Sequence, residues 1–485
     1  MSARRRRPSL PPVPQDSKDE GGIQRLRRDL ERVQHEREKL RRENVRLRRE
    51  NERLKKQLDA ARRAGFRQAA PFSRGEPKRD PRRPGRKPGR AYGRRGKRPT
   101  PKQVDEIYEA PLPDACPDCG EDVRKESVVA QYQEDIPPVR PIVRQFNVHI
   151  GSCRGCHRRL QGRHPLQTSD ALGAAAIQIG PQAVAFAAFL NKQLGLSFGK
   201  IVTLMQERFG LRVSRGGLVR ALHRVADRAR PSYEALCDQI RGSPTVTPDE
   251  TGWKVAAVLW WLHVFVTRDT TVYSIAPGRG YEEAAAILGE DFAGKLTRDG
   301  WAPYRKFLAA DHQTCLGHLL NRCEELLADH PRAPLPARVK EVLQKALQLR
   351  DRRDTGEISP HGLAVARGRL AEELVSVVEQ SSTVPDVERF ANHLAREFTA
   401  IFTFLFHPEV DATNWRAEQA IRGSVITRKV CGGGNRTERG AETQQVLASI
   451  LRTAAQRGLN ASDLLVTMLR TAEPIVPPGL GPTAS

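Results

Sequence analysis

The stretch PTVTPDETGWKVAAVLWWLHVFVTRDTTVYSIAPGRGYEEAAAILGEDFAGKLTRDG, residues 244–300, decides the fold. TVTPD reads as a short strand ending at Asp249. WKVAAVLWWLHVFVTR and TTVYSIA read as two further strands joined by a turn at Asp269, YEEAAAILGE as a helix, and FAGKLTRDG as a strand closing at Asp299. Three antiparallel strands, a helix and a fourth strand are the opening order of an RNase H-like α/β core. In that fold the first and fourth strands lie side by side, so Asp249 and Asp299 are expected to meet. Paired carboxylates repel unless cations neutralise them. Mg²⁺ takes one or two carboxylates plus waters and phosphate oxygens, and two such ions suit in-line attack on a phosphodiester. Asp291 and Asp311 are weaker rivals, because neither closes an apolar strand as cleanly. Glu250, on the opposite face of its strand, reads as a supporting or solvent-facing group.

A third carboxylate comes from DATNWRAEQAIRGSVITRKVCGGGNRTERGAE, residues 411–442, where Glu418 is expected mid-helix with Ala417 and Ile421 alongside. Arg422, Arg428, Lys429, Arg436 and Arg439 set cations beside the acidic cluster, as cutting a polyanion requires. Trp301 and Trp415 flank the carboxylates and are candidates to stack on an unpaired base. Between Asp299 and Glu418, HLLNRCEELL, ARVKEVLQKALQLRDRR and LAVARGRLAEELVSVV have amphipathic helical spacing and read as a helical insertion.

The 485 residues hold 81 Lys and Arg against 57 Asp and Glu, a net charge of +24 that calls for a polyanionic partner. Residues 1–110 carry 35 basic and 16 acidic side chains, so the excess is concentrated in an N-terminal arm. Within it Leu26, Val33, Leu40, Leu47 and Leu54 form a heptad d column, with Asn44 and Asn51 at a positions. That pattern favours a register-fixed parallel dimer through a coiled coil over residues 23–60. Residues 61–110, rich in Arg, Lys, Pro and Gly, read as a disordered linker. Its Arg86, Lys87, Arg90, Arg94 and Arg95 are expected on DNA phosphates, or in a minor groove.

Cys116/Cys119 and Cys153/Cys156 are C-x-x-C pairs separated by the β-rich stretches SVVAQYQEDI and VRQFNVHIGS. They predict a zinc ribbon over residues 111–165 whose four thiolates hold Zn²⁺. Over residues 170–240 the pattern is helical. LSFGKIVTLMQERFGLRVSRGGLVRALHRVADRAR reads as a helix, a turn at Phe209-Gly210-Leu211 and a second helix capped by Ser214. This is either a helix-turn-helix with Arg215 and Arg220 on its recognition helix, or an ordinary αα-hairpin. The longest apolar run, Ala256–Val266, is too short to cross a bilayer, and the N-terminus lacks a secretory h-region, so a protein of the reducing cytosol without a membrane role is expected.

DET at Asp249, DGWAPY at Asp299, CLGHLL at Cys315, and NWRAEQAIR around Glu418 followed by RK, a glycine-rich turn and RGAE resemble the insertion sequence 66 family of bacterial DDE transposases. The resemblance implies a multidomain α+β chain. Its parts are a coiled coil (23–60), a basic linker (61–110), a zinc ribbon (111–165), a helical DNA-binding segment (170–240), and an RNase H-like core (243–318 and 406–460) around a helical insertion (319–405). A basic tail (1–22) and a C-terminal tail (461–485) flank these. It further implies a catalytic triad of Asp249, Asp299 and Glu418 using Mg²⁺ or Mn²⁺, and a structural or substrate-positioning pair in Cys315 and His318. The partners it implies are element ends and target DNA, and small accessory proteins. The family commonly shows N-N-x-A-E-R, whereas this chain has Asn414-Trp415-Arg416-Ala417-Glu418-Gln419. The alternatives are a non-catalytic DNA-binding regulator and an RNase H-like nuclease without strand transfer.

Overall fold

The computed structural model describes residues 32–54 and 100–482, apart from 34, 49, 52, 138, 171–177, 381, 431–433 and 472. The basic tail and Arg86, Lys87, Arg90, Arg94 and Arg95 lie outside the described residues. The chain divides into two units, Met1–Val128 and Val129–Ser485.

In the first unit every described residue of 32–54 is helical (α1), and Val33, Leu40, Leu47 and Leu54 are each more than half exposed. The same unit holds the first cysteine knuckle, where the Gly120 amide donates to the Cys116 carbonyl and the Cys116 amide to the Glu121 carbonyl.

In the second unit β1 (Ile150–Ser152) and β2 (Arg159–Gln161) pair as an antiparallel hairpin around the second knuckle. That knuckle repeats the bonding of the first, His157 N–H to Cys153 O and Cys153 N–H to Arg158 O. Of the β-rich stretches expected between the knuckles only the end of the second, Ile150–Ser152, is a strand: no described residue from 123 to 149 is in one. Val129, Ile136 and Val143 stand exposed there without a sheet to cover them, and Pro137 and Pro141 remove ladder donors.

Next come α2 (Pro181–Ala188), α3 (Phe198–Phe209), α4 (Arg215–Arg228) and α5 (Arg230–Arg241). Gly210 ends α3 in the left-handed region, and the Ser214 hydroxyl caps α4 by accepting from the Gly217 amide at 3.0 Å. The helices break at Ala229 because Pro231 opens a new first turn. Leu190, Ile201, Met205 and Leu218 give this hairpin a small core of its own.

The sheet has the order β5-β4-β3-β6-β7, from β3 (Thr245–Val255), β4 (Val258–Val266), β5 (Thr271–Ala276), β6 (Lys295–Arg298) and β7 (Asp311–Thr314), with α6 (Tyr281–Leu288) between β5 and β6. The first three strands are antiparallel, and β3, β6 and β7 are mutually parallel. The strand expected to end at Asp249 instead runs through it to Val255. The hairpin turn falls at Ala256 and Ala257, inside a segment that reads as one strand. Both alanines have positive φ, the conformation of a two-residue hairpin turn, but Ala-Ala carries none of the Asn-Gly signal that marks such turns in sequence.

Along β4, Leu262, Val264 and Val266 point to one core while Phe265 points to the other. The first core takes α12 (Trp415–Val430) through Ala417, Ala420 and Ile421. The second takes α5, α6, α13 (Glu438–Gln456) and α14 (Ala461–Arg470). Residues after 460, expected as a tail, thus begin with a packed helix: Leu465, Val466 and Met468 are buried. Between β7 and α12 stand α7 (Leu316–Asp329), α8 (Pro334–Asp354), α9 (Pro360–Val378), α10 (Pro385–Ile401) and α11 (Thr403–Phe406), packed around a separate apolar core. A two-residue strand, β8 (Gly434–Asn435), pairs with the end of β3. This mixed α/β architecture with its mixed sheet is compatible with a DDE-like core.

Candidate active site

Thr245 stands opposite Lys295 and Val246 opposite Leu296, so the fifty-residue offset of the parallel register equals the fifty residues separating Asp249 from Asp299. Continued three residues along, that offset brings both carboxylates to one level beyond the end of β6. Asp311 lies at the other end, opposite Lys295, and Asp291 is exposed in the loop before β6.

Each aspartate accepts one local hydrogen bond, Asp249 Oδ1 from the Glu250 amide at 2.8 Å and Asp299 Oδ1 from the Trp301 amide at 2.9 Å. Burial, the Glu250 carboxylate, and the Asp299 and Glu418 charges push the Asp249 carboxyl up to about 7. Glu418 lies in the first turn of α12 rather than mid-helix, because the helix starts only at Trp415. There the helix dipole favours its negative charge.

Glu250 is buried and fully partnered. Arg279 Nη2 lies 2.6 Å from its Oε1, and the Tyr304 hydroxyl donates to its Oε2 at 2.7 Å. The Arg279 guanidinium in turn lies 3.9 Å from the Trp301 ring and 4.7 Å from the Trp261 ring. The face of Trp301 offered to a base in sequence is therefore taken by Arg279, whereas Trp415 remains 42% exposed.

Cys315 is buried at the start of α7. Its amide donates to the Arg298 carbonyl at 2.8 Å, and its Sγ accepts from the Asn414 amide at 3.4 Å, so one residue ties the strand before Asp299 to the segment before Glu418. One turn on, His318 Nε2 is 3.9 Å from Glu418 Oε1. The hydrogen bond to Cys315, with the Glu418 and Asp299 charges, raises the His318 imidazole to about 9. Asn414 is buried, and neither end of its side-chain amide has a hydrogen-bond partner.

Asp249, Asp299, Glu418, Cys315 and His318 thus share one neighbourhood, although among the described residues no three His, Cys, Asp or Glu side chains are close enough to hold one metal ion. Mg²⁺ needs only one or two carboxylates, and these hard oxygen donors, with Asp249 held up by burial and by like charge, fit such an ion chemically.

Of the expected DNA-binding cations, Arg215 and Arg220 are exposed on α4, and Arg422, Lys429 and Arg436 are exposed around α12. Arg428 instead turns inward, donating to the Gly252 carbonyl and the Thr251 hydroxyl of β3. Arg439 pairs with Asp227 of α4 and Glu442. In the second unit, backbone donors of the knuckle hold the Cys153 thiol below its usual range; in the first, Cys116 is lowered in the same way. Sequence reasoning passed over Arg279 and Tyr304, whose roles rest on tertiary contacts with no fixed spacing, and met Asn414 only as part of the family motif.

The sheet and its acidic neighbourhood define a class, the mixed α/β proteins compatible with a DDE-like core. Residues 176–443, more than half of the chain, match the transposase IS66 family, and the chain belongs to it. No curated protein matches the chain. By family the protein is a transposase, a class that binds DNA. No helix among the described residues is long and apolar enough to cross a membrane.

Proposed function

We propose that the chain is the DDE transposase of a bacterial insertion sequence, cutting and joining DNA strands at a site of Asp249, Asp299 and Glu418. The observation that carries this reading is the parallel register of β3 and β6, whose offset equals the spacing of the two aspartates. Mg²⁺ or Mn²⁺, when bound, would supply charge neutralisation and an activated water or 3′-hydroxyl at the scissile phosphate. Asp249 and Asp299 hold the acidic end of the sheet, and Glu418 closes it from the first turn of α12. The Cys315 tie between β6 and the approach to α12 keeps these carboxylates in register, while His318 offsets part of their charge. Arg279 and Tyr304 neutralise and bond Glu250, so the additional carboxylate beside Asp249 does not compete for the substrate phosphate.

Around this centre, Arg215 and Arg220 on α4, with Arg422, Lys429 and Arg436, contact DNA phosphates, joined by Arg86, Lys87, Arg90, Arg94 and Arg95 of the arm. Zn²⁺ on Cys116, Cys119, Cys153 and Cys156 orders residues 111–165. The coiled coil over 23–60 joins two copies, one for each element end, and accessory proteins of the same element assist. The site of action is the bacterial cytoplasm, at the nucleoid.

Asp299→Asn tests the reading. The variant is expected to bind element-end DNA as the wild type does and to lose Mg²⁺-dependent cleavage; retained cleavage overturns the triad. The second reading, a DNA-binding regulator, is favoured by Trp415 and Gln419, which stand beside Glu418 where the family commonly has Asn and Arg. It predicts wild-type protein that binds ends and never cuts them.

A further inference from the structure

A groove of about 260 Å³ lies between α7 and α10, outside the carboxylate cluster but opening onto it. Gly300, the residue after Asp299, lines its mouth, and so does His318, whose imidazole is 3.9 Å from Glu418. The remaining polar wall is Arg322 of α7, Arg389 and His393 of α10, and Thr314, with Leu319 and Phe390 beneath; no acidic side chain lines it. A cationic slot abutting an acidic centre is an unexpected neighbour unless an anion runs from one to the other.

The slot is narrow and its cations are available. At about 260 Å³ it has room for one stretch of sugar-phosphate backbone and not for both strands of a duplex. Gly300 keeps the mouth open: a Cβ there would sit 3.1 Å from His393 Cε1. Among the described residues Arg322 pairs with Glu325 and Arg389 with Asp386, each on its own helix, exposed couples of the kind that contribute little and exchange readily for a phosphate. Phe390 is too buried to stack on a base, so what is held is the phosphate and not the base.

We infer that this groove grips a backbone phosphate of a single DNA strand leaving the cleavage site, through Arg322 and Arg389. The inference rests on the transposase reading and adds to it the strand state that the site accepts, unpaired rather than duplex next to the scissile phosphate. The grip draws the strand past Gly300 and counters the repulsion between DNA and the carboxylates.

The test is binding of the full-length protein to fluorescein-labelled single-stranded oligo-dT and to a labelled duplex of equal length, over a series of salt concentrations. For each single-strand phosphate that a variant no longer neutralises, the slope of log affinity against log salt falls by about 0.7. Arg322→Ala/Arg389→Ala is expected to lower the single-strand slope by about 0.7 or more and to leave the duplex slope unchanged. Arg322→Lys/Arg389→Lys is expected to keep most of it, and thermal melts of both variants check folding. An unchanged single-strand slope, or an equal loss on duplex, overturns the groove while leaving the transposase reading standing. Wild-type protein that binds neither DNA removes both. As a control, Arg215→Ala/Arg220→Ala should weaken duplex binding and leave the groove's contribution in place.

Discussion

Arg298 Nη2 lies 2.8 Å from Glu397 Oε2, across 99 residues of sequence, with both side chains buried. Glu397, on α10, also accepts from Arg305 at 2.8 Å and from the Thr314 hydroxyl at 2.6 Å. Arg298 donates as well to the Asp299 carbonyl and to His312 Nδ1. The helical insertion is therefore pinned by a buried charge network to the strand end that carries Asp299.

Removing one member of such a network leaves uncompensated buried charge. Glu397→Gln should cost about 3–5 kcal/mol in denaturant unfolding. Burial alone would raise the Glu397 carboxyl, but the Thr314 hydroxyl and Arg298 outweigh it and hold it below 4.5. A depressed folded value means stability that is complete above the unfolded value and lost as pH falls through the folded one. Wild-type stability should accordingly fall more steeply below about pH 4.5 than that of Glu397→Gln. Parallel pH profiles for the two proteins would refute this assignment.

Gly434 opens β8 with φ of +154°, and a Cβ there would lie 2.1 Å from the Lys254 carbonyl oxygen. Gly434→Ala should cost at least about 1–3 kcal/mol and loosen Asn435, which accepts from the Trp253 indole at 2.7 Å. Gly423→Ala, in the open middle of α12, should instead stabilise by about 0.4–1 kcal/mol. Thermal melts of the pair check both signs; a neutral Gly434→Ala would rule out the close approach.

What the sequence disclosed was what periodicity and caps encode. The helix pair around Gly210 and the Ser214 cap was legible because each end carries its own chemistry. The spacing of Asp249 and Asp299 was legible because a parallel register preserves residue offsets. The β3–β4 turn was not, since Ala256 and Ala257 take positive φ under tertiary constraint against their own preference. Arg428 reads as one more exposed base until the fold turns it onto Gly252. Glu397 sits in an amphipathic helix where a charged residue reads as solvated, and only three partners from distant strands and loops reveal its burial.

The second knuckle repeats the bonding of the first, with His157 at φ of 55° where the first has Gly120 at 79°. Apolar residues of this region such as Val129, Ile136 and Val143 remain exposed, so a core does not hold it. Purified protein should carry about one zinc per chain, and Cys153→Ser should lose it. Chelation should increase protease cutting between residues 111 and 165 while leaving the main melting transition in place, because residues 184–480 supply the buried cores. Zinc content unchanged in Cys153→Ser would discard the four-thiolate site.

Val33, Leu40, Leu47 and Leu54 recur every seven residues on α1, and all four are more than half exposed in the single chain. An exposed d column of this regularity is covered when a second copy pairs with it, with Asn44 and Asn51 meeting their counterparts at a positions. Leu40→Glu/Leu47→Glu places like charges in that seam. The wild type is expected to sediment as a dimer or larger species, and the variant as a monomer with its main melting transition unchanged, since no described residue of α1 is among the buried core residues. Binding to a DNA carrying two element ends should fall much further than binding to a DNA carrying one, because linkage through the zipper raises the effective concentration of the second site. A variant that keeps the wild-type mass would place the dimer contact elsewhere in the chain.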